Sequence, residues 1–174
     1  MIKNIFFIGP AGVGKTTVGN IVAKQIGYNF IDIDKEFCER IALIPNYIDA
    51  NGYTAYCEAN SELVDDLLFD NPENTVFATP SGFLVHENLD HLVNKHLNLI
   101  STGTSILLLP TEDIEEAVKI IVARQLKRWD DTTVEIEEDR FRNRFPKYSQ
   151  YGDIRIYSID PPANIAKIVI DKLK

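Results

Sequence analysis

Eight residues near the start of the sequence have the types and spacing that hold the phosphates of a nucleotide. Residues 9–16 read GPAGVGKT and match the pattern G-x-x-x-x-G-K-[ST]. The glycines let backbone N–H groups turn inward around phosphate oxygens, Lys15 can reach the β- and γ-phosphates, and the Thr16 hydroxyl can bind Mg²⁺. We therefore expect a nucleotide site formed by Gly12, Val13, Gly14, Lys15, Thr16 and Thr17.

A pair of carboxylates follows the second apolar segment of the chain. Asp32 lies within a predicted strand at 29–33, and Asp34 directly follows that strand. In a parallel sheet the carboxyl end of that strand lies on the same edge as the phosphate-binding loop, where ligands bind. Alternatively, aspartates at this point could serve only as helix caps. With the loop on the same edge, the pattern favours a role toward Mg²⁺ and toward a phosphate acceptor.

The ends of the later apolar segments argue against two other classes of nucleotide-binding protein. GTPases and motor-type ATPases carry an aspartate at the end of a later strand to help hold Mg²⁺. Here the segments end at 77–80 with FATP and at 108–110 with LLP. Neither provides that aspartate, so the sequence disfavours both of these classes.

Elements that could position these residues alternate along the whole chain. Short continuous apolar runs separated by helical patterns indicate a parallel sheet covered on both faces. We predict an α/β fold of the P-loop kinase type, a three-layer α/β/α arrangement with a five-stranded parallel sheet flanked by helices, as one domain over 1–174. Strands are predicted at 2–8, 29–33, 75–78, 105–109 and 154–157, and helices at 15–26, 35–41, 53–69, 89–97, 114–129, 136–145 and 161–173.

Charge and cysteine content limit the partners and the location that we expect. The formal net charge is −8, which counts against a nucleic-acid or anionic-membrane binder because both need a positive surface. The two cysteines, Cys38 and Cys57, have neither a disulfide-framework nor a metal-site spacing. We expect a cytoplasmic protein that is a monomer or a weak homo-oligomer.

Three segments together resemble the shikimate kinase family. The loop continues as GVGKTTVG over 12–19, residues 30–34 read FIDID like the family's F-x-D-x-D, and residues 144–148 read RFPKY, similar to its R-x-P-x-Y. The resemblance extends weakly over almost the whole chain. It implies ATP as phosphate donor, Mg²⁺ as cofactor and a small hydroxylated molecule, such as shikimate, as acceptor.

The resemblance also implies roles for individual residues. Asp32 would assist Thr16 with Mg²⁺, and Asp34 would hold the acceptor hydroxyl near the γ-phosphate and accept its proton. Arg144 would bind the acceptor carboxylate. Arg128 would be the lid arginine that covers the phosphates, in a lid at about 128–140 whose most loop-like part is 130–138. The acceptor-binding segment would cover about 33–62.

The sequence departs from the family at the acceptor end. The family's substrate-binding Phe-Arg pair is Tyr56-Cys57 here, and its Gly-Gly-Gly turn is Pro80-Ser81-Gly82. Cys57 and Gly82 are thus expected at the acceptor, but a thiol cannot replace a bidentate guanidinium facing a carboxylate. Cys57→Arg is expected to improve shikimate binding if the pocket admits the larger side chain.

Three interpretations remain open. The chain could be a divergent shikimate kinase, a related kinase for another hydroxylated acceptor, or a nucleotide-binding paralogue with little catalysis. A nucleoside monophosphate kinase is disfavoured because no arginine lies within 53–60 to clamp a phosphorylated acceptor. The identity of the acceptor does not follow from the sequence.

Overall fold

The computed structural model describes residues 3–128 and 132–174, which form five strands and eight helices. The strands are β1 (Ile5–Ile8), β2 (Asn29–Asp32), β3 (Thr75–Ala78), β4 (Thr104–Leu109) and β5 (Ile154–Tyr157). The helices are α1 (Lys15–Ile26), α2 (Ile33–Arg40), α3 (Ile44–Asn51), α4 (Tyr53–Asp70), α5 (Asp90–Ile100), α6 (Ile114–Arg128), α7 (Val134–Tyr148) and α8 (Pro162–Leu173).

The strands form one parallel sheet in the order β2-β3-β1-β4-β5. Every residue of β1 and β3 is buried, as five of the six residues of β4 are, whereas the two edge strands are mostly half-buried. Fully buried parallel strands require continuous apolar sequence, which is the pattern that predicted them. The predicted five-stranded parallel sheet flanked by helices is confirmed.

The sheet order brings three chain segments to one edge. Because all strands run in the same direction, their carboxyl ends share that edge. The phosphate-binding loop follows β1, the Asp32–Asp34 segment follows β2, and residues 79–82 follow β3, which lies between those two strands. Two helix pairs pack on each other beside the sheet, α1 with α8 and α6 with α7.

Several predicted element boundaries were wrong. The helix predicted from residue 35 begins at Ile33, because the Asp32 side chain accepts a hydrogen bond from the Lys35 amide and caps it. Helix α3 was not predicted, since it buries no residue completely and so leaves a weak apolar pattern. The first strand was predicted to include residues 3 and 4, but it begins at Ile5.

The segment predicted to be most loop-like is partly helical. Helix α7 begins at Val134, and the Thr133 hydroxyl caps it by accepting a bond from the Ile136 amide. Glu135 and Glu137 lie in its first turn, where acidic side chains interact favourably with the helix dipole. The acidic composition therefore indicated a helix start instead of a loop. The predicted lid residues 129–131 lie outside the described residues.

Candidate nucleotide and acceptor site

The loop between β1 and α1 has the backbone shape that its glycines predict. Gly12 and Gly14 have φ of 77° and 100°, which residues with a side chain rarely adopt. Gly14 is the N-cap of α1 and makes no side-chain cap, so the helix N-terminus is open to a ligand. The side chain of Val13 is buried in the core, so its backbone N–H is the group that can bind a phosphate.

Lys15 is buried at the centre of this loop. Its Nζ donates hydrogen bonds to the carbonyl oxygens of Gly9 and Pro10, both at 2.7 Å. Burial lowers the pKa of Lys15 to about 8, and the nearby carboxylate of Asp34 opposes this effect. The ammonium is thus held by groups that phosphate oxygens could replace.

Thr16 and Asp32 form a direct pair across the end of the sheet. The Thr16 hydroxyl donates to Oδ2 of Asp32 at 2.6 Å, while Oδ1 accepts the Lys35 amide at 3.2 Å. The capping and the functional interpretation of Asp32 are therefore compatible, because each uses a different oxygen. A hydroxyl and a carboxylate are hard oxygen ligands, and this donor set fits Mg²⁺.

Asp34 interacts both with Lys15 of the loop and with Tyr56 of α4. Burial raises its pKa, and the charge of Lys15 opposes that increase. The hydroxyl of Tyr56 donates to Oδ1 of Asp34 at 3.4 Å. A carboxylate with a raised pKa beside a cation is suited to hold and receive a proton.

These groups surround a cavity of about 720 Å³. Arg128 lines it, as expected of a cation that faces phosphates, and so does Arg124, which the sequence had not singled out. Arg124 donates from Nη1 to the Gly12 carbonyl oxygen at 3.4 Å. Its position one helical turn before Arg128 was the available signal. The lining also includes Gly12, Gly14, Lys15, Thr16, Thr17, Asp32, Asp34, Thr79, Ser81 and Gln125.

Arg144 and Tyr148 hold the turn that follows β3. Arg144 donates from Nη1 to the Ser81 hydroxyl at 2.8 Å, and the Tyr148 hydroxyl donates to the Ser81 carbonyl oxygen at 3.2 Å. The same tyrosine oxygen accepts the Leu84 amide at 3.5 Å. The RFPKY segment of α7 is therefore tied to the turn, and Ser81 connects Arg144 to the large cavity.

The predicted acceptor residues Cys57 and Gly82 lie against two residues that the sequence did not indicate, His86 and Tyr53. The His86 Nδ1 is 3.4 Å from the Cys57 sulfur and 3.4 Å from the Tyr53 hydroxyl. Burial lowers the pKa of His86 to about 4 and raises the pKa of Cys57, so both are uncharged near neutral pH. A Cβ at Gly82 would lie 2.9 Å from the Tyr53 hydroxyl oxygen.

The structure thus brings Cys57 and Gly82 together against His86, and it brings Arg144 to Ser81, the residue before Gly82. Neither Cys57 nor Gly82 lines the large cavity itself. Cys57 is 1% exposed, and its neighbour His86 is 9% exposed. No local sequence pattern could have indicated His86 or Tyr53, because only the packing of α4 on the 79–89 segment brings them together.

A P-loop at the edge of a five-stranded parallel sheet, with carboxylates and arginines around one cavity, defines a P-loop phosphotransferase of small molecules. A family model described as shikimate kinase matches residues 11–174. The chain therefore belongs to the shikimate kinase family and is an ATP-dependent small-molecule kinase.

Individual relatives agree with this assignment. The chain is 30% identical over 177 residues to a shikimate kinase of Psychrobacter sp., covering 99% of this chain and 93% of the relative. It is 39% identical over 97 residues to a shikimate kinase of Methylococcus capsulatus, covering 55% of this chain and 53% of the relative.

Solved structures show the same fold. A shikimate kinase from Acinetobacter baumannii in complex with shikimate has a TM-score of 0.77 at 22% identity, covering 99% of this chain and 93% of that chain. A deoxyadenosine kinase from M. mycoides with bound dATP has a TM-score of 0.65 at 16% identity, and each chain is covered to 98%. Among the described residues, no helix has the length and hydropathy to cross a membrane.

Proposed function

We propose that this kinase transfers the γ-phosphoryl group of ATP to a hydroxyl of shikimate. The observation that carries the proposal is that half-buried Asp34 interacts with Lys15 of the loop and shares one cavity with Ser81, which accepts a hydrogen bond from Arg144. Membership of the shikimate kinase family supports shikimate as the acceptor.

The nucleotide half of the reaction uses the loop and the first turn of α1. The amides of Gly12, Val13 and Gly14 and the Lys15 ammonium would bind phosphate oxygens, with Thr17 beside them. Thr16 and Asp32 would hold Mg²⁺, which supplies positive charge against the phosphates when it is bound. Arg128, with Arg124 beside it, would neutralise charge that develops on the transferred group.

The acceptor half uses Asp34 and Arg144. The acceptor hydroxyl oxygen forms the new bond to the γ-phosphorus, the bond to the oxygen of the ADP leaving group breaks, and the hydroxyl proton passes to Asp34. The Tyr56 hydroxyl keeps the carboxylate oriented for this transfer. Arg144 would bind the acceptor carboxylate, with Gly82 and Cys57 beside it.

The uncharged cluster of Cys57, His86 and Tyr53 weakens the binding of an acceptor carboxylate. Loss of a charged hydrogen-bonding partner costs on the order of 3 kcal/mol, which corresponds to about a hundredfold in affinity. We therefore expect a high KM for shikimate. The same cluster supports a second candidate function, which is phosphorylation of another small hydroxylated acceptor.

Mg²⁺ accompanies ATP, and no nucleic acid or membrane takes part, as the net charge of −8 suggests. We propose a cytoplasmic monomer or weak homo-oligomer.

A phosphate-transfer assay tests the function. ADP release would be measured with ATP and a panel of shikimate, other small hydroxylated acids, sugars and nucleosides. Turnover of shikimate that Lys15→Ala abolishes is the expected result. Faster turnover of another acceptor would favour the second candidate, and ATP binding without turnover of any acceptor would contradict both.

A further inference from the structure

A buried chain of hydrogen bonds joins α4 and α5 to the turn that follows β3. The Nδ1 atom of His96 lies 2.8 Å from the carbonyl oxygen of Phe83, and its Nε2 atom lies 3.1 Å from the hydroxyl oxygen of Ser61. Lys95 donates from Nζ to the same hydroxyl oxygen at 2.9 Å and to the carboxylate of Asp65 at 2.6 Å. His96, Ser61 and Phe83 are all buried, which strengthens these bonds. None of these residues takes part in the proposed transfer.

The partners of the His96 ring determine where its proton lies. A carbonyl oxygen can only accept, so Nδ1 carries the hydrogen, and Nε2 of the neutral ring accepts from the Ser61 hydroxyl. A protonated ring would aim a second cation at the oxygen that already accepts from Lys95. Burial lowers the pKa of His96 and the charge of Lys95 adds to this effect, while the bonded carbonyl and Asp65 oppose it. The neighbouring His86, whose ring centroid is 5.9 Å away, is neutral as well.

The residue that His96 holds belongs to the turn beside the large cavity. The rings of His96 and Phe83 are stacked, with centroids 3.9 Å apart and planes inclined by 9°. The Phe83 amide donates to the Pro80 carbonyl oxygen at 3.2 Å and so closes the turn that contains Ser81. Ser81 lines the large cavity and accepts a hydrogen bond from Arg144. The position of Ser81 therefore depends on α5 through His96.

We propose that His96 is a positioning residue for the acceptor end of the site. Acting through Phe83, it keeps the turn at 80–83 in the place where Ser81 meets Arg144 and lines the cavity that contains Asp34. The ring itself is buried and does not touch the acceptor. This inference rests on the proposed function, because the turn affects the reaction only if the acceptor binds beside it.

Substitutions of His96 test this role. His96→Phe keeps a ring against Phe83 and removes both hydrogen bonds, so the KM for shikimate should rise roughly threefold to tenfold. The KM for ATP should stay within about twofold, because the phosphate-binding loop follows a different strand. In His96→Asn the side-chain N–H takes the place of Nδ1–H toward the Phe83 carbonyl and should restore most of the loss. His91→Phe, the same change at an exposed position of α5, is the matched control and should leave both constants unchanged.

The ring nitrogens of His96 provide a measurement on the wild type that does not depend on whether the variants fold. Long-range ¹H–¹⁵N NMR spectra at neutral pH should show a hydrogen on Nδ1 and none on Nε2. Addition of shikimate to the complex with the non-reacting ATP analogue AMPPNP should shift these ring signals, because the turn connects the ring to the cavity. A hydrogen on Nε2, or ring signals that stay in place while the Ser81 amide signal moves, would overturn the inference.

The kinetic outcomes separate this inference from the proposed function. A lower melting temperature of His96→Phe with an unchanged KM for shikimate would show a purely structural role, overturn the inference and leave the proposed function standing. If another acceptor of the panel is turned over instead of shikimate, the same variants and spectra are measured with that acceptor. In that case shikimate alone is refuted, and a selective rise of the acceptor KM in His96→Phe still supports the inference. Absence of turnover of any acceptor would overturn both.

Discussion

The lowered pKa of Lys15 predicts that nucleotide binding depends on pH in a range where most lysines are fully charged. Its pKa in the ligand-free protein is about 8, because the side chain is buried. Above that pH the free enzyme loses the ammonium that faces the phosphates. We therefore expect kcat/KM for ATP, which reports the free enzyme, to fall about tenfold per pH unit above pH 8. Bound phosphates raise the pKa of Lys15, so kcat should stay level to a higher pH.

The same pKa predicts a change in folding stability. An ordinary lysine has a pKa of 10.5, and the lower value of about 8 corresponds to roughly 3 kcal/mol of unfavourable free energy for the buried charge. Between these two pH values the unfolded chain binds a proton that the folded protein has lost. The contribution of Lys15 to the free energy of unfolding therefore rises from pH 8 to pH 10.5 and is most unfavourable below pH 8.

Other groups change the free energy of unfolding in the opposite direction as pH rises, so their contribution has to be subtracted. Burial raises the pKa of Cys57 and of Tyr56, so the folded protein keeps their protons while the unfolded chain loses them, and this lowers stability as pH rises. The difference in unfolding free energy between the wild type and Lys15→Met, from urea titrations at pH 7 to 10.5, isolates the lysine. That difference should change by about 2–3 kcal/mol across the range.

The binding measurement is a titration with a fluorescent ATP analogue over the same pH range. Lys15→Arg is the control, because its guanidinium stays charged and its affinity, though lower, should not fall above pH 8. A wild-type affinity that stays constant up to pH 10 would refute the reasoning. It would mean that the loop carbonyls keep the ammonium charged despite its burial.

Three other changes test the remaining residues. Asp34→Asn should reduce kcat strongly and leave ATP affinity nearly unchanged, and an intact kcat in steady-state assays would make the carboxylate structural. Asp32→Asn should raise the Mg²⁺ concentration for half-maximal rate about tenfold, since Thr16 loses its carboxylate partner. A Mg²⁺ titration with an unaltered midpoint would exclude a role of Asp32 in Mg²⁺ binding. Cys57→Arg alone should lower the melting temperature, because His86 is 3.4 Å from the Cys57 sulfur and leaves no space for the larger side chain. Cys57→Arg combined with His86→Ala should lower the KM for shikimate about tenfold. Unfolding scans and shikimate kinetics decide this, and no gain in the double variant would show that the pocket has no use for a second guanidinium there.

The structure changes the expectation for Cys57 that the sequence had given. From sequence, the substitution by arginine depends on whether the pocket admits the side chain. Cys57 is 1% exposed and contacts His86, so the space for a guanidinium is filled by an imidazole from a different part of the chain. A residue type can be read from the sequence, but the volume around it depends on which segments pack there.

For Arg140 and Arg142 too, the residue type can be read from the sequence, but the surroundings are set by packing. The sequence places both on one helix near Arg144 and does not distinguish them. Only the packing of α7 on α6 turns Arg142 toward Glu115, whereas Arg140 borders a second cavity together with Tyr53 and Arg144. Arg124 was likewise missed, because its contact with Gly12 depends on how α6 approaches the loop.

The sequence by itself determined the parts of this protein whose chemistry is local. The phosphate-binding loop requires glycines, a lysine and a hydroxyl at fixed spacing, and buried parallel strands require continuous apolar runs, so the loop and the sheet followed from residue types alone. The proposed acceptor end is assembled from α4, the 79–89 segment and α7, which are far apart in the chain. Its shape and charge depend on distances that no spacing encodes, and only the tertiary structure decided them.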